Sequence, residues 1–262
     1  MPVATVLIPT HSHAEPLPLA VESIKRQTIQ DFEVFIVGDG VTPETRAAAE
    51  KLAAEDERIR FFDLPKTGRK GEIHRHTVLQ EARGRFVAYL GDDDLWMDMH
   101  LATLGEALRE VDFAHTMHVG INQRGRFFAR EADLEDPEFR ARLLAKMFNR
   151  FDIAVVGHTL DAYRRLPHGW RNTPDDFPWS DLYMWRQFLA EPWLKARSVM
   201  VPTAICTLTH LRPRMVGAKR AAELKSLLAR FQDPQFREEI WRKVAQDFAG
   251  RAIQARRKKH SA

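Results

Sequence analysis

Three adjacent carboxylates, Asp92, Asp93 and Asp94, follow the apolar run FVAYL (86–90) directly, in GDDDLW (91–96). Side by side they repel one another. A hard divalent cation offsets that repulsion through oxygen ligands and keeps open positions for water and phosphate oxygens. The triplet is therefore a seat for Mg2+ or Mn2+ carrying a diphosphate. The competing reading is a solvated loop in which Asp94 caps a helix starting near Trp96. Two more carboxylates stand at the ends of elements: Asp39 in GDG (38–40) and Asp181 in WSDLYMW (179–185). A helix N-terminus favours an ionised carboxylate, so the residues alone favour Asp181 as a plain cap, with a general base as the alternative. Asp175 and Asp176 are back-up candidates. Arg212 and Arg214 flank His210 closely, and guanidinium groups pair bidentately with phosphate. Trp170 and Trp179 offer faces to a ligand ring or to the core. His158 fits a ligand contact or a hydrogen-bonded structural position.

The elements that must hold these residues alternate. Val6 to Ile8 form an apolar strand that stops at Pro9, and 17–28 reads as a helix. Phe32 to Val37 is a second strand; Thr42 and Pro43 then open a helix running to about Ala54, as N-cap and first helical residue. Ile59, Phe61 and Phe62 mark a third strand. A Gly/Lys/Arg-rich loop (65–71) leads to a helix over 72–83 and a fourth strand, Phe86 to Leu90. Strands alternating with helices imply right-handed crossovers and a mostly parallel sheet, with ligands beyond the carboxyl ends of the strands. PTHSH (9–13), GDG and GDDD thus fall on one rim. No dinucleotide-type or P-loop glycine pattern occurs. Further on, 111–130 reads as a strand pair turning at NQRG, 136–149 as an amphipathic helix, 151–166 as a strand then a short helix, and Trp179 to Leu189 as a helix. Thr203 to Leu208 reads as a last strand, and 218–256 as two helices broken near Pro234.

The chain has 262 residues, enough for one large domain or one domain plus an appendage. The lone cysteine, Cys206, excludes an intrachain disulfide and a Cys-rich zinc site, so chemistry falls to carboxylates, histidines and bases. The net charge of +4 fits an anionic ligand, a membrane surface or nucleic acid, and selects none of them. The absence of a clustered basic face or a reader motif argues against nucleic acid. No apolar run reaches the roughly 18–20 residues of a membrane span, and the N-terminus lacks a basic leader, so a cytoplasmic protein is expected. The basic end (251–260) reads as a solvated tail, or as a peripheral contact with anionic lipid at the inner membrane face.

PTHSH, FEVFIVGDG, EIHRHTVLQEARGRFVAYLGDDDLW and WSDLYMW together resemble family 2 glycosyltransferases of the GT-A fold, in order and spacing over residues 4–190. The resemblance implies a mixed, mainly parallel α/β sheet flanked by helices. It implies a transferase domain at 1–215, with a nucleotide-binding half (1–110) and an acceptor-binding half (111–215), followed by a C-terminal helical extension (216–262). It further implies transfer of a sugar, with inversion, from a nucleotide diphosphate donor, commonly UDP-linked, to a carbohydrate or other hydroxyl acceptor. Pro9, Thr10 and His11 match the nucleoside cradle and Asp39 the carboxylate that reads the base. Arg75 matches a basic position facing the nucleotide, with Arg69 and Lys70 near enough in sequence to assist. Asp92 matches the acid that approaches ribose or metal, Asp93 the metal ligand, and Asp181 the catalytic base. His210 matches a metal-binding histidine after the last strand. Departures are Gly38 for an acid, Gly91 for the first Asp of the metal motif, and Ser180 for the Glu before the base. The alternative is a non-catalytic nucleotide-sugar binder on the same scaffold.

Overall fold

The computed structural model of the chain describes residues 1–231 and 233–260. Four parallel strands come first: β1 (Ala4–Thr10), β2 (Phe32–Asp39), β3 (Ile59–Leu64) and β4 (Phe86–Tyr89), joined through α1 (Leu17–Lys25), α2 (Pro43–Glu55) and α3 (Glu72–Leu79). Thr42 caps α2 by accepting from the Thr45 amide, and Pro43 occupies the first turn, as the sequence predicts. β1 and β2 are buried almost throughout, which is why they read as continuous apolar runs rather than alternating ones. Register pairs Thr10 with Gly38 and Leu7 with Tyr89, so the ends of β1, β2 and β4 meet on one rim.

The second half departs from the parallel pattern. After β5 (Leu95–Trp96) and α4 (His100–Ala107) come β6 (Phe113–Ile121) and β7 (Phe127–Ala129), then α5 (Pro137–Ala145), β8 (Val156–Thr159) and α6 (Leu160–Arg165). α7 (Ser180–Leu189), β9 (Ala196–Cys206), α8 (Gly217–Arg230) and α9 (Pro234–His260) complete the chain. Among the described residues the sheet runs β3-β2-β1-β4-β8-β6-β9-β5, with β7 paired to β6. β8 is antiparallel to β4 and to β6, so the sheet is mixed. The strand pair expected over 111–130 is the β6–β7 hairpin.

Three expectations change. Asp94 caps no helix: residues 95–96 pair with β9, and α4 opens at His100 with no side-chain cap. The helix expected to reach 149 stops at Ala145, where Arg186 of α7 donates to the carbonyls of Leu143 (2.8 Å) and Lys146. Such a guanidinium satisfies the orphan carbonyls of a helix end. The final strand begins at Ala196 rather than near Thr203, because β6 pairs with it over most of its length.

The main core lies between the sheet and α1, α4 and α7, with Leu7, Phe35, Phe86, Phe113, Trp185 and Phe188 fully buried. A second cluster joins Leu95, Val119, Ile121 and Ile205 of the sheet region to Leu224, Leu228, Phe231, Phe236, Ile240 and Val244 of α8 and α9. The two apolar stripes read at helical spacing thus cover the sheet, although Trp241 is half-exposed and donates to the Pro202 carbonyl at 3.1 Å. The side chains of 258–260 in the basic tail lie outside the described residues. No helix among the described residues is long and apolar enough to cross a membrane.

β6 alternates in sequence but is buried on both faces, so its polar residues are core groups with internal partners. His115 pairs with the Ser198 hydroxyl at 2.7 Å, and Thr116 accepts from Thr203 at 2.7 Å. His158 of β8 is likewise a core group, bonded to the Tyr89 hydroxyl at 2.7 Å and stacked on Tyr163. Burial pushes the His158 pKa down to about 4. The neutral ring takes up no proton between pH 7.5 and 5, whereas the unfolded chain does, below its ordinary pKa of about 6.5. The stability this ring confers is therefore complete above pH 6.5 and is lost as pH falls. The unfolding free energy of the wild type minus that of His158→Gln should fall by about 2 kcal/mol between pH 7.5 and pH 5, read from urea midpoints. A pH-independent difference would show that the ring is not held neutral.

Candidate active site

Two adjoining cavities open along the rim, and Lys70 lines both. The smaller, about 270 Å³, is lined by Pro9, Thr10, His11, Asp39, Arg75 and Asp92, together with His13, Lys66 and Arg69. The donor-side candidates read from sequence therefore share one hollow. Asp39, at the end of β2, is gripped by Lys66 and by the Thr67 amide at 2.7 Å, with His74 at 3.7 Å. Burial raises its carboxyl, but the bonds from Lys66 and Thr67 prevail and hold it below the usual range. Gly71 closes over it with φ of +71°, and a Cβ there would lie 2.9 Å from the Asp39 Cβ, so glycine serves both the turn and the close approach. His11 Nδ1 sits 2.9 Å from the Asp39 carbonyl.

Arg75 on α3 is only 5% exposed. Its Nη2 donates to the Lys70 carbonyl at 2.7 Å, while Nε and Nη1 are buried without partners. Burial pushes its pKa down despite Glu72 nearby. Orphaned guanidinium donors in a hollow suit an anionic ligand, since leaving them unpaired is costly. Arg75 lies over the Trp170 ring at 4.6 Å. Trp170 itself is 1% exposed and donates to the Tyr89 hydroxyl at 3.0 Å, so it is a core residue and offers no face to a sugar.

The acidic triplet separates into three roles. Asp92 accepts from Thr10 at 2.6 Å and pairs with His13 at 2.8 Å; the bond to Asp92 raises the His13 pKa to about 9. Asp93 accepts from Thr207 at 3.0 Å and lies 3.8 Å from Arg220 of α8. Asp94 folds back beneath the strand end, where its carboxylate takes the Thr207 amide at 2.7 Å. A Cβ on Gly91 would meet that carboxylate at 2.4 Å, so Asp94 fills the space that a side chain at 91 would enter. Burial, then Asp93, pushes the Asp94 carboxyl well up. Nitrogen and oxygen atoms of His13, Asp92 and Asp93 lie within 4.8 Å of one another, a donor set that fits a hard divalent cation.

The larger cavity, about 610 Å³, holds Asp93, Asp94, Asn149, Asp152, Trp179, Asp181 and His210, with Arg130 at its wall. Asp181 lies in the first turn of α7, where Oδ1 accepts from the Leu182 amide at 2.8 Å and Oδ2 from Asn149 at 3.0 Å. Burial raises its carboxyl against these bonds. Asp152 is pushed up to about 7 by burial and by Asp181. Trp179 is 38% exposed at the mouth, and exposed His210 shares the cavity with Asp93. Asp175 is exposed and meets Arg69 at 3.5 Å. Asp176 is exposed too and lines neither cavity. Arg212 is bound by Glu223 at 2.6 and 2.9 Å, which takes it from the phosphate role considered for it. Arg214 lines neither cavity.

Sequence reasoning missed His13, Lys66, Asn149, Asp152 and Arg220. His13 stands in the same strand-end segment as His11, two residues on, and that spacing was the available signal. Lys66 lay in the basic loop. Asn149 and Arg220 carried no local signal, because their partners are distant in sequence.

The model for "Glycosyl transferase family 2" matches residues 5–172. A Campylobacter jejuni protein named GalNAc(5)-diNAcBac-PP-undecaprenol beta-1,3-glucosyltransferase is 32% identical over 117 residues, 44% of this chain and 37% of that one. Haloferax volcanii glycosyltransferase AglD is 34% identical over 116 residues, 42% of this chain and 18% of that one. The matches thus span well under half the length of these relatives. Among solved structures, Staphylococcus aureus TarS 1-349 in complex with UDP-GlcNAc superposes with a TM-score of 0.59 at 16% identity, covering 92% of this chain and 70% of that one. Pyrobaculum calidifontis mannosyltransferase PcManGT with GDP-Man and Mn2+ gives 0.52 at 16% identity, covering 96% and 75%. These likenesses establish the fold as GT-A. The family model spans most of the chain, and the chain belongs to glycosyl transferase family 2.

Proposed function

We propose that the protein transfers a sugar, with inversion, from a nucleotide diphosphate donor, UDP-linked by preference, to an acceptor hydroxyl. The observation that carries this reading is the pair of cavities joined at Lys70, one with Asp39, Arg75 and Asp92, the other with Asp93 and Asp181. The UDP-GlcNAc and GDP-Man named with the two structural neighbours support a nucleotide-sugar donor, and the Mn2+ of one supports a metal. Asp92 and Asp93, with His13 and with His210 from the facing loop, would hold Mn2+ or Mg2+. Such an ion supplies positive charge against the departing diphosphate.

The protein's own groups do the rest. Pro9, Thr10 and His11 line the nucleoside's hollow, and Asp39 is held ionised to accept from the base. Arg75 directs its unpaired donors at the diphosphate, with Lys70 at the junction of the two hollows. Asp181 takes the proton of the acceptor hydroxyl as that oxygen attacks the anomeric carbon opposite the diphosphate. Burial makes its carboxylate a better base than a solvated one, and Asn149 fixes its direction. Trp179 at the mouth offers a face to the acceptor sugar.

Two variants test the assignment. Asp181→Asn should lower kcat about 10²- to 10⁴-fold, the usual contribution of a general base, with UDP affinity kept. Full turnover by that variant would remove Asp181 from the base role, and UDP binding without turnover of any donor by the native chain would favour a non-catalytic binder. Arg75→Met keeps the apolar stem over Trp170 and removes the donors. It should weaken UDP binding in the presence of Mn2+ about tenfold or more, the worth of a charge-assisted hydrogen bond, and unchanged affinity in calorimetry would place the diphosphate elsewhere.

A further inference from the structure

Arg220 lies on the apolar face of α8, the face on which Leu224, Leu227 and Leu228 join the second core cluster, and it is 1% exposed. Two of its donors anchor it: Nε donates to the Met215 carbonyl at 3.0 Å and Nη1 to the Thr207 carbonyl at 3.1 Å. Nη2 is buried and has no hydrogen-bond partner. Nε stands 3.8 Å from Asp93 Oδ2, an ion pair too long for a hydrogen bond. Nη1 stands 3.9 Å from Glu223, which is itself bound to Arg212 at 2.6 and 2.9 Å. Arg220 lines neither cavity.

A guanidinium kept for structure alone would have its donors paired, since an unpaired buried donor is costly. This one keeps an orphan, and its Nε meets the Asp93 oxygen by charge rather than by a bond. It stays protonated in any protein. Its carbonyl anchors and its apolar surroundings hold it where it is. A divalent cation brought to Asp92 and Asp93 therefore faces a fixed positive charge, whereas a diphosphate brought there meets an attractive one. Buried charges are poorly screened, so both effects reach beyond the contact itself. Lys66, Lys70 and Arg75 line the smaller cavity and meet the diphosphate directly, but Arg220 reaches the seat only through Asp93. We propose that Arg220 is a positioning residue acting through Asp93, the resident counter-ion of the cation seat. It holds off the bare ion and favours the diphosphate, so that cation and nucleotide enter as a pair. The proposal rests on the reading of Asp92 and Asp93 as the seat of the cation.

The test titrates the full chain with Mn2+ alone, followed by the resonance of the free ion, and with UDP alone in a calorimeter. Arg220→Gln keeps an amide for the anchoring carbonyls and removes the charge. It should bind bare Mn2+ about fivefold or more tightly than the native chain and metal-free UDP about fivefold or more weakly. Arg220→Lys keeps the charge and should stay near native on both. A purely structural role weakens both ligands together, so shifts in opposite directions mark a role through charge. Glu223→Gln removes the other carboxylate near Arg220 and should shift both affinities the opposite way, by about threefold, and it is read even where Arg220→Gln does not fold. Shifts of the same sign for both ligands, or none, in whichever variant folds overturn the role of Arg220 and leave the cation seat standing. Mn2+ that binds neither the native chain nor the variants even with UDP present removes the seat itself, and the proposal with it.

Discussion

Five carboxylates, those of Asp92, Asp93, Asp94, Asp152 and Asp181, crowd one rim of a buried sheet, and the site depends on how their repulsion is managed. Two like charges about 4 Å apart repel by about 4 kcal/mol at an effective dielectric constant near 20, so they cannot all be bare anions. The chain sorts them by partner. Asp92 receives Thr10 and His13. Asp93 receives Thr207 and faces Arg220. Asp94 and Asp152, the most crowded, are pushed toward the protonated form by burial and by their neighbours. The Asp94 carboxylate is also taken up by the Thr207 amide at 2.7 Å. Asp92 lines the smaller cavity together with Arg75 and its orphaned donors.

Asp181 stands apart because its support is circular. α7 carries Asp181 in its first turn and Arg186 in its last. Arg186 terminates α5 by taking carbonyls at its end, and the loop released there brings Asn149 back to the Asp181 carboxylate. One helix thus places the base and, through its other end, the residue that aims it. The arrangement is rigid without using a loop for the carboxylate itself, which suits a group that must meet an acceptor oxygen at hydrogen-bond distance.

This circuit shows what the sequence reveals and what it hides. β1, β2 and β4 are parallel strands with short, local crossovers, so their ends converge by a general rule, and Pro9, Thr10, His11, Asp39 and Asp92 were legible as one group. Asp93 and Asp181, singled out through the family resemblance, line the larger cavity together. Asn149 was hidden because α5 ends through a contact with Arg186, and no stop signal marks Ala145. The competing reading of Asp94 as a helix cap fails because its partner, the Thr207 amide, arrives from beyond β9. Trp170 was ambiguous because only packing decides whether an indole meets a sugar or, as here, Tyr89 and Arg75. The in-out alternation of β6 was real, but its polar residues Thr116 and His118 meet Thr203 and the Asp152 amide rather than water.

The C-terminal helices hold the least legible contribution. Arg220, Leu224, Leu227, Leu228 and Phe231 share one face of α8, so Arg220 sits at the head of an apolar stripe and is 1% exposed. A buried cation on such a face is destabilising unless it meets an anion and carbonyls. Here it faces Asp93 and donates to the carbonyls of Thr207 and Met215 at 3.1 and 3.0 Å. Hydrophobic docking of α8 on the sheet therefore sets a charge beside the acidic triplet, and docking of α9 along β7 sets Arg251 beside Arg130. The residues after position 216 thus add charge beside the larger cavity as well as covering a face of the sheet. Any change that loosens the seam of α8 is transmitted to the carboxylates by the displacement of Arg220.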